Sequence, residues 1–384
     1  MASKRHVAQR FQLLGESLSL DTAALAKYDN IIDLSIGDMD LATDEVIIDQ
    51  AFADAKQGYT RYGNPKGDPE LIEAIQQVWQ EDYQQTIGPE EVLVSTSSCL
   101  GMSVALMSII DPGDEVLVFA PYFSPYKHQI ELAGGVCVIV PLSAEDGYAF
   151  HPEQIEEYIN ENTKAMILNN PCNPTGQYYD KDSLEIIARL AKDHDLFVLS
   201  DEIYTNYVFD EAFTPLRTLD GMEDYTITLN SFSKNFMMTG WRVGYVIAPP
   251  EVIQVMKHIN DSLIYTTPAL SQRAALEAIQ HRHELLPKYK AIYEERLRFV
   301  VEKLKEIPYL EFVEPKGTFY VFPRLKSRDL TTKEFVNLLL EECQVLVTPG
   351  YLFGEAGEGH VRIACTKPIE ELDEALERMK QLEL

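Results

Sequence analysis

A chain of 384 residues exceeds the usual size of one compact domain, and its 46% hydrophobic and 24% charged content suits a folded, enzyme-sized body, not a disordered or membrane-spanning one. Its 33 basic against 61 acidic residues leave a formal net charge of -28, which opposes residence on nucleic-acid phosphates or anionic lipid. The five cysteines are scattered without a Cys-x-x-Cys pair, and no apolar stretch approaches the roughly 18 residues of a membrane span, so a disulfide framework, a metal site, a secretory leader and a membrane anchor are not expected, and a cytoplasmic location is.

From about Asp44 onward, helical periodicity alternates with short β-branched runs, the pattern of a parallel sheet wrapped by helices. Strands are expected over 91–95, 115–119, 136–140, 164–168, 196–200, 225–229 and 242–247, with Pro and Gly turning the chain at Asp111-Pro-Gly-Asp, Ala133-Gly-Gly and Ala248-Pro-Pro. Past about Thr267 the pattern changes. A long amphipathic helix over 287–307 carries Tyr289, Tyr293, Val300 and Leu304 on one face, followed by strand signals at 310–313, 318–322, 345–347 and 360–364. Further helices are expected over 331–342 and 368–382, the last with Ile369, Leu372, Leu376 and Met379 in one stripe. The expected fold class is α/β: a large domain over 44–270 with a mostly parallel, seven-stranded sheet sandwiched by helices, and a smaller α+β domain over 271–384 that includes the connecting helix. Residues 1–43 read as an N-terminal arm and part of the small domain.

Functional side chains of open parallel sheets gather past the C-terminal ends of the strands. After the first strand come Ser97, Ser98 and Cys99 at a helix start, where hydroxyls and free N–H groups make a seat for phosphate, although the same residues also cap helices. Nothing near Cys99 in sequence would lower its pKa, so the thiol reads as a small packed residue. After the fourth strand the prolyl loop Asn169-Asn-Pro-Cys-Asn-Pro-Thr-Gly176 restrains Asn173, and after the fifth come Asp201 and Tyr204, a carboxylate and a phenol at the mouth of the sheet. Ser231-Phe-Ser-Lys-Asn235 frames Lys234 between Ser231 and Ser233, with Arg242 eight residues on; together they supply a nucleophilic amine and a fork-shaped cation matched to phosphate.

These motifs, with Gly37, Tyr62, Gly-Trp-Arg-Val-Gly-Tyr and Val-Arg-Ile-Ala, run in order from about Asp33 to the C-terminus, and the set resembles the class I and II aminotransferases of pyridoxal-phosphate fold type I. The resemblance implies that Lys234 holds pyridoxal 5'-phosphate as a Schiff base and moves a proton between Cα and the cofactor. Asp201 would face the ring nitrogen, Tyr204 and Asn173 the ring oxygen, and Phe123 would stack on the ring. Ser97, Ser98, Ser231 and Arg242 would bind the phosphate, with Cys99 and Ser233 beside them and Tyr62 reaching in from the second subunit of a homodimer. Arg362 would clamp the substrate α-carboxylate, with Gly37 lining the same pocket. An amino acid and a 2-oxo acid, with 2-oxoglutarate the first acceptor expected, would react in ping-pong order. Two departures qualify this picture: Cys99 replaces a lysine that meets acidic side chains in some relatives, and Gly37-Asp-Met-Asp40 lacks the usual proline, a change shared with C-S β-lyases. A β-lyase is therefore the alternative activity. A DNA-binding regulator on the same fold is not expected, since only about 30 residues precede the enzyme-like part and the net charge of -28 opposes DNA.

Overall fold

The computed structural model describes Tyr28, residues 30–327 and residues 329–384. Residues 1–27 and 29 of the expected N-terminal segment 1–43 therefore lie outside the described residues. After β1 (Ile32–Asp33), the chain lays down β2 (Val92–Ser95), β3 (Glu115–Ala120), β4 (Val136–Pro141), β5 (Thr163–Asn169), β6 (Phe197–Asp201), β7 (Thr226–Ser231) and β8 (Gly244–Ile247). These last seven form one sheet in the order β2-β8-β7-β6-β5-β3-β4. Only β8 runs against its neighbours β2 and β7, so the sheet is mostly parallel, and each strand lies within two residues of its expected run.

Burial explains why the apolar runs were continuous. β2, β7 and β8 are buried along their whole length, as strands covered by helices on both faces must be, whereas the edge strand β4 keeps partly exposed positions. The helix Ser97–Ile109 packs on β7 and β8, and Gly101 lets it approach closely, since a Cβ there would meet the Val246 side chain at 2.9 Å. On an outer layer, Asp180 caps the helix Lys181–Asp193 by accepting from the Ser183 N–H, and Leu184, Ile187, Ala188 and Ala191 turn inward from it.

The remaining strands make small sheets: β9 (Leu310–Glu311) with β11 (Arg324–Leu325), and β10 (Tyr320–Val321) with β14 (Val361–Ala364), which also pairs with β13 (Thr348–Pro349). β1 pairs in parallel with β12 (Val345–Leu346), carrying residues 32–33 onto the C-terminal part of the chain. The long helix spans Arg282–Lys305 and starts five residues before the expected Pro287. Proline at its sixth position removes one ladder hydrogen bond without ending the helix, and burial of Leu285 alongside Tyr289, Tyr293, Val300 and Leu304 holds the extra turn in place.

Candidate active site

The C-terminal ends of β5, β6 and β7 deliver their side chains to one place. Asn169, the last residue of β5, donates from Nδ2 to the Asp201 carbonyl (3.0 Å) and accepts from the Asn173 N–H at Oδ1 (2.7 Å). The prolyl loop is thus tied both to itself and to the end of β6. Past β7, Ser231 caps the one-turn helix Phe232–Asn235 by accepting from the Ser233 N–H (3.1 Å), and its hydroxyl also meets that of Ser233 (2.9 Å). Lys234 stands on this turn, and its Nζ donates to the Gly37 carbonyl oxygen.

Two adjoining cavities meet at these residues. The larger, about 680 Å³, is lined by Gly37, Asn173, Tyr204 and Arg362 among others. The smaller, about 180 Å³, is lined by Ser97, Ser98, Cys99, Ser231, Ser233 and Arg242. Phe123, Asp201 and Lys234 border both, at the junction between them. Ser97 adopts a φ of +72 at the first turn of its helix, and Gly244 lets that turn sit against the sheet, because a Cβ there would lie 2.6 Å from the Asn230 carbonyl oxygen and 2.9 Å from the Ser98 nitrogen.

Arg362, on β14, is buried. Its Nη1 donates to Asn173 Oδ1 (2.9 Å) and its Nη2 to the Ser35 carbonyl (2.5 Å), while its Nε has no partner. The guanidinium lies over the rings of Tyr320 (4.4 Å) and Phe353 (4.9 Å), which fix its plane. Asp201 is also buried. Its Oδ2 accepts a hydrogen bond from the Tyr126 hydroxyl at 2.5 Å, and its Oδ1 is left without a partner. Burial pushes the Asp201 carboxyl up to about 6 against the opposing hydrogen bonds from Tyr126 and the Ile203 N–H. Burial, with the nearby Asp201, also raises the Cys99 thiol, in keeping with a packed side chain.

Of the residues singled out from sequence, Tyr62 alone stands apart: it is 84% exposed, touches Tyr265 edge-on at 5.2 Å, and lines neither cavity. Tyr126, Tyr320, Ser35 and Thr348 line or brace the site and were not singled out. Tyr126 follows Phe123 by three residues, a spacing that could have marked it, whereas Tyr320, Ser35 and Thr348 carry no local signal.

The family model for class I and II aminotransferases matches residues 29–379. The chain belongs to this family. It is 38% identical over 357 residues to an aspartate aminotransferase of Pyrococcus abyssi, covering 92% of each chain. Its fold matches a solved aromatic aminotransferase of Pyrococcus horikoshii with a TM-score of 0.89 and 36% identity, over 95% of this chain and 98% of that one. It also matches a double mutant of Thermus thermophilus aspartate aminotransferase with a TM-score of 0.92 and 32% identity, over 98% and 99% of the two chains. Class I and II aminotransferases depend on pyridoxal phosphate, and this aminotransferase is a pyridoxal-phosphate-dependent transaminase of fold type I.

The residues present fit that cofactor. A buried carboxylate oxygen without a partner suits a protonated ring nitrogen, an amine stands at the junction of the cavities, and the smaller cavity offers hydroxyls, a helix start and an arginine to a phosphate. Among the described residues, no group of three or more His, Cys, Asp or Glu is arranged to hold a metal ion, and no helix is long and apolar enough to cross a membrane.

Proposed function

We propose that this aminotransferase moves the amino group of an L-amino acid with a neutral, apolar or aromatic side chain to a 2-oxo acid, in ping-pong order, with Lys234 as the residue that holds the cofactor covalently and moves the proton. The observation that carries the reading is that Lys234 borders both cavities together with Asp201, while Arg362 lines the larger of the two. Bound pyridoxal phosphate supplies an electron-poor ring able to take up the electron pair left when a Cα proton is removed.

The chain's own residues do the rest. Ser97, Ser98, Ser231 and Arg242 would hold the phosphate, with Cys99 and Ser233 filling the wall around it. Asp201, held by Tyr126 so that Oδ1 points free, would keep the ring nitrogen protonated, while Tyr204 and Asn173 would donate to the ring oxygen and Phe123 would cover one face. Arg362 would receive the α-carboxylate in parallel hydrogen bonds, fixing Cα within reach of Lys234 Nζ, which takes the proton and returns it one position away. Gly37 accepts from Nζ meanwhile, and closing of the C-terminal part, 271–384, over the large domain would exclude water.

The donor class rests on a charge inventory. Among the described lining residues of one chain the cations are Lys234, Arg242 and Arg362, each already given a role, and the larger cavity adds Asp33 and Asp38 with the apolar Ile36, Ile203 and Leu352. From these residues a second carboxylate draws no further cation; Arg61, beside Tyr62, is the cation a second subunit would bring nearest. The exposure of Tyr62 supports a homodimer in which it completes the partner's phosphate seat. The free thiols of the described cysteines suit a cytoplasmic enzyme.

The decisive experiment is an absorbance titration of the holoenzyme with single amino acids, assaying oxo acid and ammonia together. Phenylalanine or leucine should bleach the visible band with stoichiometric oxo acid and no ammonia, at a rate constant per molar at least about tenfold above that of aspartate. Aspartate as the better donor would refute the donor class, and catalytic ammonia and pyruvate from cystathionine would make the enzyme a β-lyase. Lys234→Ala should lose both turnover and the visible band.

A further inference from the structure

Several contacts meet on Tyr320. Its strand β10 sets Tyr320 opposite Ala364 and Val321 opposite Ile363 on β14, so Arg362 lies diagonally across on the same face, and its guanidinium carbon sits 4.4 Å from the Tyr320 ring centroid. The Tyr320 hydroxyl is 3.2 Å from that of Tyr204. A Cβ on Gly37 would lie 1.7 Å from the same hydroxyl, so the phenol fills the space that the missing side chain leaves. Tyr320 and Tyr204 are each 2% exposed, which denies both hydroxyls bulk water.

Two phenols at this distance have two protons between them and one shared hydrogen bond, so its direction decides whether the Tyr204 proton is spent on the protein or free for a ligand. The Arg362 guanidinium lies over the Tyr320 ring and also acts electrostatically on the Tyr204 hydroxyl, so it touches both members of the pair. Burial raises the Tyr204 hydroxyl well above its ordinary range; the charge and hydrogen bond of Tyr320 add to the rise, Arg362 opposes it, and Asp201 adds a smaller rise.

We propose that Tyr320 is a positioning residue that couples the carboxylate clamp at Arg362 to the hydroxyl of Tyr204. With the clamp empty, the Arg362 charge biases which of the two phenols donates in their shared hydrogen bond, and with it the demand on the Tyr204 proton. A substrate carboxylate neutralises the guanidinium and weakens that bias, so arrival of substrate is felt at Tyr204 without any contact between the two. The inference rests on the roles of Arg362 and Tyr204 given above.

The test uses the holoenzyme and 3-phenylpropionate, a carboxylate with no amine to transfer. The pH midpoint of the bound cofactor's visible absorbance is measured with and without saturating acid in wild type, Tyr320→Phe and Arg362→Leu. Wild type should show a midpoint displaced by the acid, and Tyr320→Phe should show less than about half that displacement with the Kd of the acid changed by less than about threefold, because Arg362 keeps its bonds to Ser35 and Asn173. An undiminished displacement in Tyr320→Phe, or none in wild type, overturns the coupling. Arg362→Leu should abolish binding of the acid; tight binding retained there brings down the reading of Arg362 itself, a different failure. If Tyr320→Phe loses cofactor, Tyr204→Phe asks the same question from the other end, and a full displacement in that variant also overturns the proposal.

Discussion

Asp201 and Glu202 are sequence neighbours with different surroundings. Asp201 turns one oxygen to Tyr126 and leaves the other free, whereas Glu202 accepts from the Ser200 hydroxyl (2.8 Å) and the Leu216 N–H (3.2 Å) and has Oε2 buried without a partner. Burial pushes the Glu202 carboxyl up to about 8. A carboxyl whose folded pKa lies above its unfolded value of about 4.3 adds stability in full below that value, and the contribution is lost as pH rises through the folded pKa. Thermal stability of the wild type should therefore fall between about pH 5 and 9, and Glu202→Gln should flatten the slope; parallel slopes in melting curves would remove Glu202 from the account. At Arg362 the expectation is kinetic. Arg362→Leu should lower kcat/KM by about a hundredfold or more, chiefly through KM, while cofactor content measured by absorbance stays intact.

Elements act through how closely they approach. Gly244 opens β8 where the sheet meets the turn at Ser97 and Ser98, and Gly244→Ala would push Cβ against the Asn230 carbonyl and the Ser98 nitrogen. The turn that frames the smaller cavity must then shift, so cofactor affinity should fall at least about tenfold, read by equilibrium dialysis against pyridoxal phosphate. Unchanged affinity would show that the cradle tolerates the displacement. By contrast, Asp180→Ala removes a cap on an outer helix remote from the site. It should lower stability by about 1 kcal/mol and leave cofactor binding alone.

For the whole molecule, the segment from Gly37 to Asp40 bridges distant parts of the chain. Gly37 accepts from Lys234, and Asp40 receives two hydrogen bonds from Arg296 on the long helix, at 2.7 and 2.9 Å, while Arg296 also donates to the Thr366 carbonyl. Burial would raise the Asp40 carboxyl, but the hydrogen bonds and charge of Arg296 hold it below its usual range. Because the Asp40 side chain keeps 21% of its exposure, Arg296→Met should cost about 2 to 3 kcal/mol, less than for a fully buried pair. In denaturant melts the double variant Asp40→Asn, Arg296→Met should lose less than the sum of the single changes; strict additivity would show no coupling.

What the sequence by itself determined is what repeats or is local. All seven strands of the central sheet, the tyrosine and valine face of the long helix and the last helical stripe were legible because the strands are short β-branched apolar runs, the helices follow a period of 3.6 residues, and turn residues stand nearby. Even there, Pro287 misled at the start of the long helix, because packing of the preceding turn outweighed one lost hydrogen bond. The lysine, aspartate, serines and arginines of the site could be named because motif order carries information that composition lacks. Only the tertiary structure decided who stands beside whom. Tyr126 against Asp201, Tyr320 beneath Arg362, and Ser35 at the same guanidinium join residues 75, 42 and 327 positions apart. No local propensity encodes such pairs; they follow from strand order, register and the crossing of β1 onto β12, which are settled by the packing of the chain as a whole.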